Sequence, residues 1–171
     1  MKTVDDFMKL PEGARAELIE GELVMSPSPR ERHQRILMNL TFALGAIIRP
    51  AALGSLYAAP FDVHLPSGDI VQPDLIFIST ANQGIIQDWI RGVPDLLVEI
   101  VSPDSPQRDR VLKRALYERN GVPEYWIVDP EPASIDVLTL SAGVYVAHPA
   151  SDPLRSPTFP GLELPIQALT R

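Results

Sequence analysis

The chain has 171 residues, 45% hydrophobic and 22% charged, which is ordinary globular usage and fits a single domain over residues 1–171 with no room for a second catalytic one. It contains no cysteine, so disulfides, cysteine-ligated zinc, iron–sulfur clusters and a thiol nucleophile are excluded, and any metal must be held by oxygen or imidazole. Fifteen basic against 22 acidic residues, net charge −7, disfavour a broad nucleic-acid coat, which is driven by phosphate neutralisation, but leave a local basic surface open.

The first residues, MKTVDDFMKLPEG, carry two acids within six positions and no apolar signal core, and no stretch approaches the roughly 18 apolar residues of a membrane span. The expectation is a cytoplasmic protein with no membrane partner. Residues 17–25, ELIEGELVM, read as two extended pieces around a Glu20-Gly21 turn. Ser-Pro-Ser-Pro at 26–29 then announces a helix, with Ser28 as N-cap and Pro29 at the first helical position. Its apolar face is Ile36, Leu37, Leu40, Leu44, Ile47 and Ile48, a 3.6-residue pattern ending before Pro50.

Three strands are predicted at 56–65, 69–79 and 95–101, apolar enough for core positions. A second helix over about 107–120 sets Val111, Leu112, Ala115, Leu116 and Arg119 on one side and stops at Gly121. Residues 124–129, EYWIVD, form a further strand, a hairpin follows around Ser141-Ala142-Gly143, and a proline-rich tail closes the chain. This order gives an α/β architecture around one central sheet, with strand additions at both ends.

Two carboxylates interrupt apolar strands, Asp74 in VQPDLIFI and Glu99 in DLLVEIV. A buried carboxylate is costly without a cation or donors to satisfy it. On neighbouring strands the two can share a face and form an oxygen site suited to Mg²⁺ or Mn²⁺, with the backbone carbonyl of Ile100 completing the protein ligands. The plainer reading pairs each with an arginine or sets it at a wet strand end.

The segments ELIEGELVMSPSP, VQPDLIFIS, VPDLLVEIVSPDS, RDRVLKRALYERNGVPEYWIVDPE and FPGLELPI together resemble the Uma2 family of restriction-endonuclease-like proteins, within the PD-(D/E)XK nuclease superfamily. The resemblance spans roughly residues 5–168 and rests on five blocks in order. It implies a central mixed sheet flanked by helices and metal-dependent phosphodiester hydrolysis, with the Asp of the PD pair at Asp74 and the second acid at Glu99. The superfamily lysine is missing, because Val101 stands in its place and valine can neither donate a proton nor orient a water. Its candidate replacement is Lys113, which shares a polar helix flank with Asp109, Tyr117 and Asn120 and so would border a wet cleft. The competing reading of Lys113 is an ordinary i,i+4 pair with Asp109.

The superfamily's acid from the first helix has no match, but His33 lies one turn before Leu37 on that helix's apolar side and is a candidate for the same cleft. Glu17, Glu20 and Glu22 surround the first turn; Glu22 is the preferred auxiliary acid, and Asp62 a weaker one. Eight of the 15 basic residues fall in two segments, Arg30, Arg32 and Arg35, then Arg108, Arg110, Lys113, Arg114 and Arg119, candidates to grip DNA phosphates. The reading is thus a divalent-metal-dependent endodeoxyribonuclease acting on DNA. Its rivals are a nuclease-fold binding module that lost turnover and a metal-free carboxylate hydrolase. A two-fold homodimer is compatible, with the loop of Ile85, Ile86 and Trp89 as its apolar contact.

Overall fold

A computed structural model describes residues 1–104, 106–149 and 151–170, with only the backbone of Thr170. After a one-turn helix α1 (Val4–Phe7), closed by a Thr3–Asp6 capping box, the chain forms the hairpin β1 (Ala16–Ile19) and β2 (Glu22–Met25). Its turn residues Glu20 and Gly21 both take positive φ, 52° and 77°, which is why glycine is needed at the second.

The first long helix, α2 (Glu31–Ile48), starts two residues later than expected. Arg30, not Ser28, is its extended N-cap, and no side chain caps it. Its buried residues are Ile36, Leu37, Leu40, Leu44 and Ile48, while Ile47 is partly buried. Among the described residues no helix is long and apolar enough to cross a membrane.

Two expected strands divide. Residues 56–65 become β3 (Gly54–Ala58) and β4 (Val63–His64), and residues 69–79 become β5 (Ile70–Val71) and β6 (Leu75–Ser79). Pro60 and Pro73 fall at the breaks, where a residue without an N–H cannot carry a ladder onward. The halves enter different sheets. One, ordered β2-β1-β5-β4-β7 with β7 at Ile90–Arg91, is small. The other is the central mixed sheet, ordered β11-β10-β9-β8-β6-β3, with β8 (Leu96–Ile100), β9 (Glu124–Pro130), β10 (Ala133–Ser141) and β11 (Val144–Ala147). Within it β8 and β9 run parallel and every other pair antiparallel.

Strand alternation divides the core. Leu96, Val98 and Ile100 of β8, with Trp126 and Val128 of β9, pack against α2 and against Phe159, Leu162, Ile166 and Leu169 of the tail, which ends in a short helix (Ile166–Thr170). Leu97 and Val101, with Tyr125 and Ile127, face the opposite way, toward Val63, Val71 and Ile90 of the small sheet and toward Leu116 and Tyr117. The last two belong to the helix over Arg108–Arg119, whose first six residues are wound as a π-helix before ordinary α-helical winding over Arg114–Arg119.

That helix departs from its expected facing. Val111 is 62% exposed, and the buried residues are Asp109, Lys113, Leu116 and Tyr117. The wide winding alters the phase on which the 100° reading depends. The flank expected to border a wet cleft is the packed face, and it is turned toward buried carboxylates.

Candidate active site

Glu99 lies on the face of β8 that looks toward the small sheet, by alternation with Leu97 and Val101. Its residue is 4% exposed. Lys113 Nζ stands 2.8 Å from Glu99 Oε1, and Tyr117 donates its hydroxyl to the same oxygen at 2.6 Å. Four residues apart on one helix, Lys113 and Tyr117 reach a common point. The ammonium also lies 2.9 Å from Glu17 Oε1 and 4.0 Å from Asp109 Oδ1. Glu17 comes from β1, so Lys113 joins the two sheets. Glu17 Oε1 also accepts the backbone N–H of Gln72, while its Oε2 is buried without a partner among the described residues.

Asp74 stands one residue before β6. The last paired residues there are Leu75 and Val98, so the same register sets Asp74 opposite Glu99. Asp74 continues the contact through its side chain: Oδ2 accepts the N–H of Ile100 at 2.7 Å. His33 Nε2 is 3.1 Å from the same oxygen, and among the described residues its buried Nδ1 has no partner. Asp74, Glu99, Lys113, His33 and the Ile100 backbone are therefore brought to one region.

Glu22 is not. It is exposed on β2, opposite Ile19, and the cluster's acid from this hairpin is Glu17. Both faces of β1 are covered, Ala16 and Leu18 packing with Phe7 of α1 and Ile19 with Val63 and Val71, so Glu17, on the side of Ile19, is enclosed while Glu22 at the hairpin turn is not. Asp62 accepts from Gln72 Nε2 at 2.8 Å, one residue's side chain removed from Glu17. Glu17, Asp109 and Tyr117 join the cluster although the sequence marked Glu17 only as an acid beside the first turn and Asp109 and Tyr117 only as neighbours of Lys113 on its helix flank. The i, i+4, i+8 spacing of Asp109, Lys113 and Tyr117 was the available signal for the last two.

The electrostatics follow from enclosure. Burial pushes the Glu99 carboxyl well above the ordinary carboxylate range; Lys113 opposes the rise, and Asp109, Asp74 and Glu17 add to it. Burial likewise lifts Asp109 to about 6. Burial acts to lower Lys113, but Glu17, Glu99 and Asp109 outweigh it, so the ammonium keeps its proton. Burial first, then the charge of Glu99, raises the Tyr117 phenol, which stays a donor.

Four carboxylates, Glu17, Asp74, Glu99 and Asp109, thus share one lysine and one histidine. The excess of hard oxygen donors and the unpartnered Oε2 of Glu17 fit a divalent cation such as Mg²⁺ or Mn²⁺. Among the described residues no three of the acids and histidines stand gathered as a ready-made cage. Lys113 stands between two of them instead.

The basic segments are largely engaged within the chain. Arg30 pairs with Asp104, Arg32 with Glu131, Arg35 with Glu31, Arg110 with Asp129 and Asp136, and Arg119 with Glu20 and Asp69. Among the described residues Arg114 is exposed with no ion pair, and Arg108 has no ion pair either, its side chain making a 3.5 Å hydrogen bond to Ser26.

A family model described as "Uma2: Putative restriction endonuclease" matches residues 4–167. The fold is similar to a crystal structure described as a putative nuclease belonging to DUF820 from Anabaena variabilis ATCC 29413, with a TM-score of 0.82 and 20% identity over 99% of this chain and 98% of that one. No curated protein matches the chain.

Proposed function

Because the chain belongs to the Uma2 family, we propose that it is a divalent-metal-dependent endonuclease that hydrolyses DNA phosphodiester bonds. The observation that carries the reading is the meeting of Asp74 and Glu99: one carboxylate holds the amide of Ile100, the residue next to the other, and Glu99 is bonded to a buried lysine.

In this reading Asp74, Glu99 and the Ile100 carbonyl hold Mg²⁺ or Mn²⁺, with Glu17 Oε2 as a further oxygen. When bound, the cation supplies a lowered pKa for an attacking water and neutralises charge on the scissile phosphate. Lys113 keeps a positive charge beside the acids and stabilises developing negative charge, the part that Val101 cannot play. His33 donates from Nε2 to Asp74, which leaves Nδ1, without a partner among the described residues, as the nitrogen able to accept a proton. Arg114 and Arg108 position the flanking strand without reading its sequence.

Supercoiled plasmid incubated with the protein and Mn²⁺ or Mg²⁺ tests this, beside Asp74→Asn and Glu99→Gln. Nicked or linear product from the parent protein alone supports it. Equal cleavage by both variants, or none by the parent with either cation, overturns it; DNA binding without cleavage would instead favour the inactive module suggested by Val101.

A further inference from the structure

Two glutamates are buried on adjacent strands of the central sheet, and they are satisfied in different ways. Glu124, 1% exposed, spends both oxygens: Oε1 accepts Trp126 Nε1 and Ser156 Oγ, and Oε2 accepts the N–H and hydroxyl of Thr158. That is a structural clamp on the tail. Glu99 receives the same care on one oxygen only. Lys113 and Tyr117 both donate to Oε1, and among the described residues no hydrogen bond reaches Oε2.

Tyr117 is fixed for this contact. It is fully buried, its ring stands edge-on to Tyr125 with centroids 5.0 Å apart at 84°, and the Tyr125 hydroxyl in turn holds the Asp109 carbonyl at 3.0 Å. Phenylalanine would fill the same space, so the hydroxyl is the informative atom. A buried hydroxyl costs free energy unless it is bonded, and here it is bonded to a carboxylate at 2.6 Å.

We infer that Tyr117 is a positioning residue: with Lys113 it occupies Oε1 of Glu99 and turns Oε2 alone toward the cation. This rests on the nuclease reading above. Lys113 supplies charge to the same oxygen but also serves Glu17, so its position answers to two acids. Among the described residues the Tyr117 hydroxyl bonds Glu99 alone, and it sets the direction of that one carboxylate. Groups that orient a metal ligand commonly govern affinity or turnover by about 10-fold to 100-fold.

The test is Tyr117→Phe in the full chain, beside Tyr145→Phe, which removes another buried hydroxyl, bonded at 2.9 Å to the Val122 carbonyl. Mn²⁺ affinity is measured by calorimetry, and kcat and KM on a DNA substrate. Tyr117→Phe should weaken Mn²⁺ or lower kcat by about 10-fold or more with KM for DNA within about twofold, while Tyr145→Phe changes neither. Unchanged Mn²⁺ affinity and kcat in Tyr117→Phe, or equal losses in Tyr145→Phe, overturn the role while leaving the nuclease reading standing. A parent protein that binds no Mn²⁺ overturns both. Should Tyr117→Phe not fold, a structure of the parent soaked in Mn²⁺ decides: Glu99 bound through Oε2 with Oε1 still on Tyr117 supports the role, and chelation through both oxygens or loss of the Tyr117 bond overturns it.

Discussion

Lys113 and Glu99 meet at 2.8 Å in the core, with neither side chain more than 5% exposed. Removing one partner of such a pair leaves the other charge enclosed without compensation. The ammonium has a second obligation, to Glu17, so its loss strands two acids at once.

Lys113→Ala should therefore cost about 3–5 kcal/mol of stability and abolish cleavage. Added Mn²⁺ should recover part of that stability, because a cation that binds only the folded form shifts the equilibrium by mass action. Lys113→Arg should rescue cleavage poorly, since a planar fork aims its donors differently. Urea unfolding with and without Mn²⁺ checks this; an alanine variant as stable as the parent would remove the pair from any account of the core.

His33→Ala should reduce cleavage while changing stability little. Among the described residues the imidazole makes one hydrogen bond, through Nε2 to Asp74, and its other nitrogen has no partner to lose. Cleavage rates and a melting curve on the same preparation decide it. A fall in melting temperature with normal turnover would make His33 a structural residue.

Asp109 gives a pH signature. Its carboxyl is lifted from 3.8 to about 6 by burial, so between those values the folded chain binds more protons than the unfolded one. Stability from this group is fully present below 3.8 and is lost as pH rises through 6, an effect of order 2–3 kcal/mol. Asp109→Asn should flatten the fall between pH 4 and 6 relative to the parent. Parallel stability curves across that range, from denaturant titrations at each pH, would contradict it.

Arg114→Ala should weaken DNA binding and reduce the slope of log affinity against log salt by about 1. Arg32→Ala should leave the slope alone, because its guanidinium is already bonded to Glu131 and the Pro130 carbonyl. Binding isotherms at several salt concentrations separate the two, and the reverse ranking would show that the intramolecular pairs open on DNA.

The sequence by itself determined the features that depend on neighbours a few residues away. The Glu20-Gly21 and Ala142-Gly143 turns stand where their glycines signalled them, and the apolar period of α2 identifies its buried face at Ile36, Leu37, Leu40, Leu44 and Ile48. Asp74 and Glu99 stood out because a carboxylate in an apolar strand is anomalous on local grounds alone. Tertiary structure decided what local pattern does not carry. It sent the two halves of residues 56–65 and of 69–79 to different sheets, buried Lys113, and chose Glu17 over Glu22. It also spent Arg32 on Glu131, 99 positions away, and Lys113 on Glu99, 14 away. A charged side chain is enclosed only where partners from other elements make enclosure affordable, and those partners are fixed by strand pairing and helix docking rather than by the period of the residues beside it.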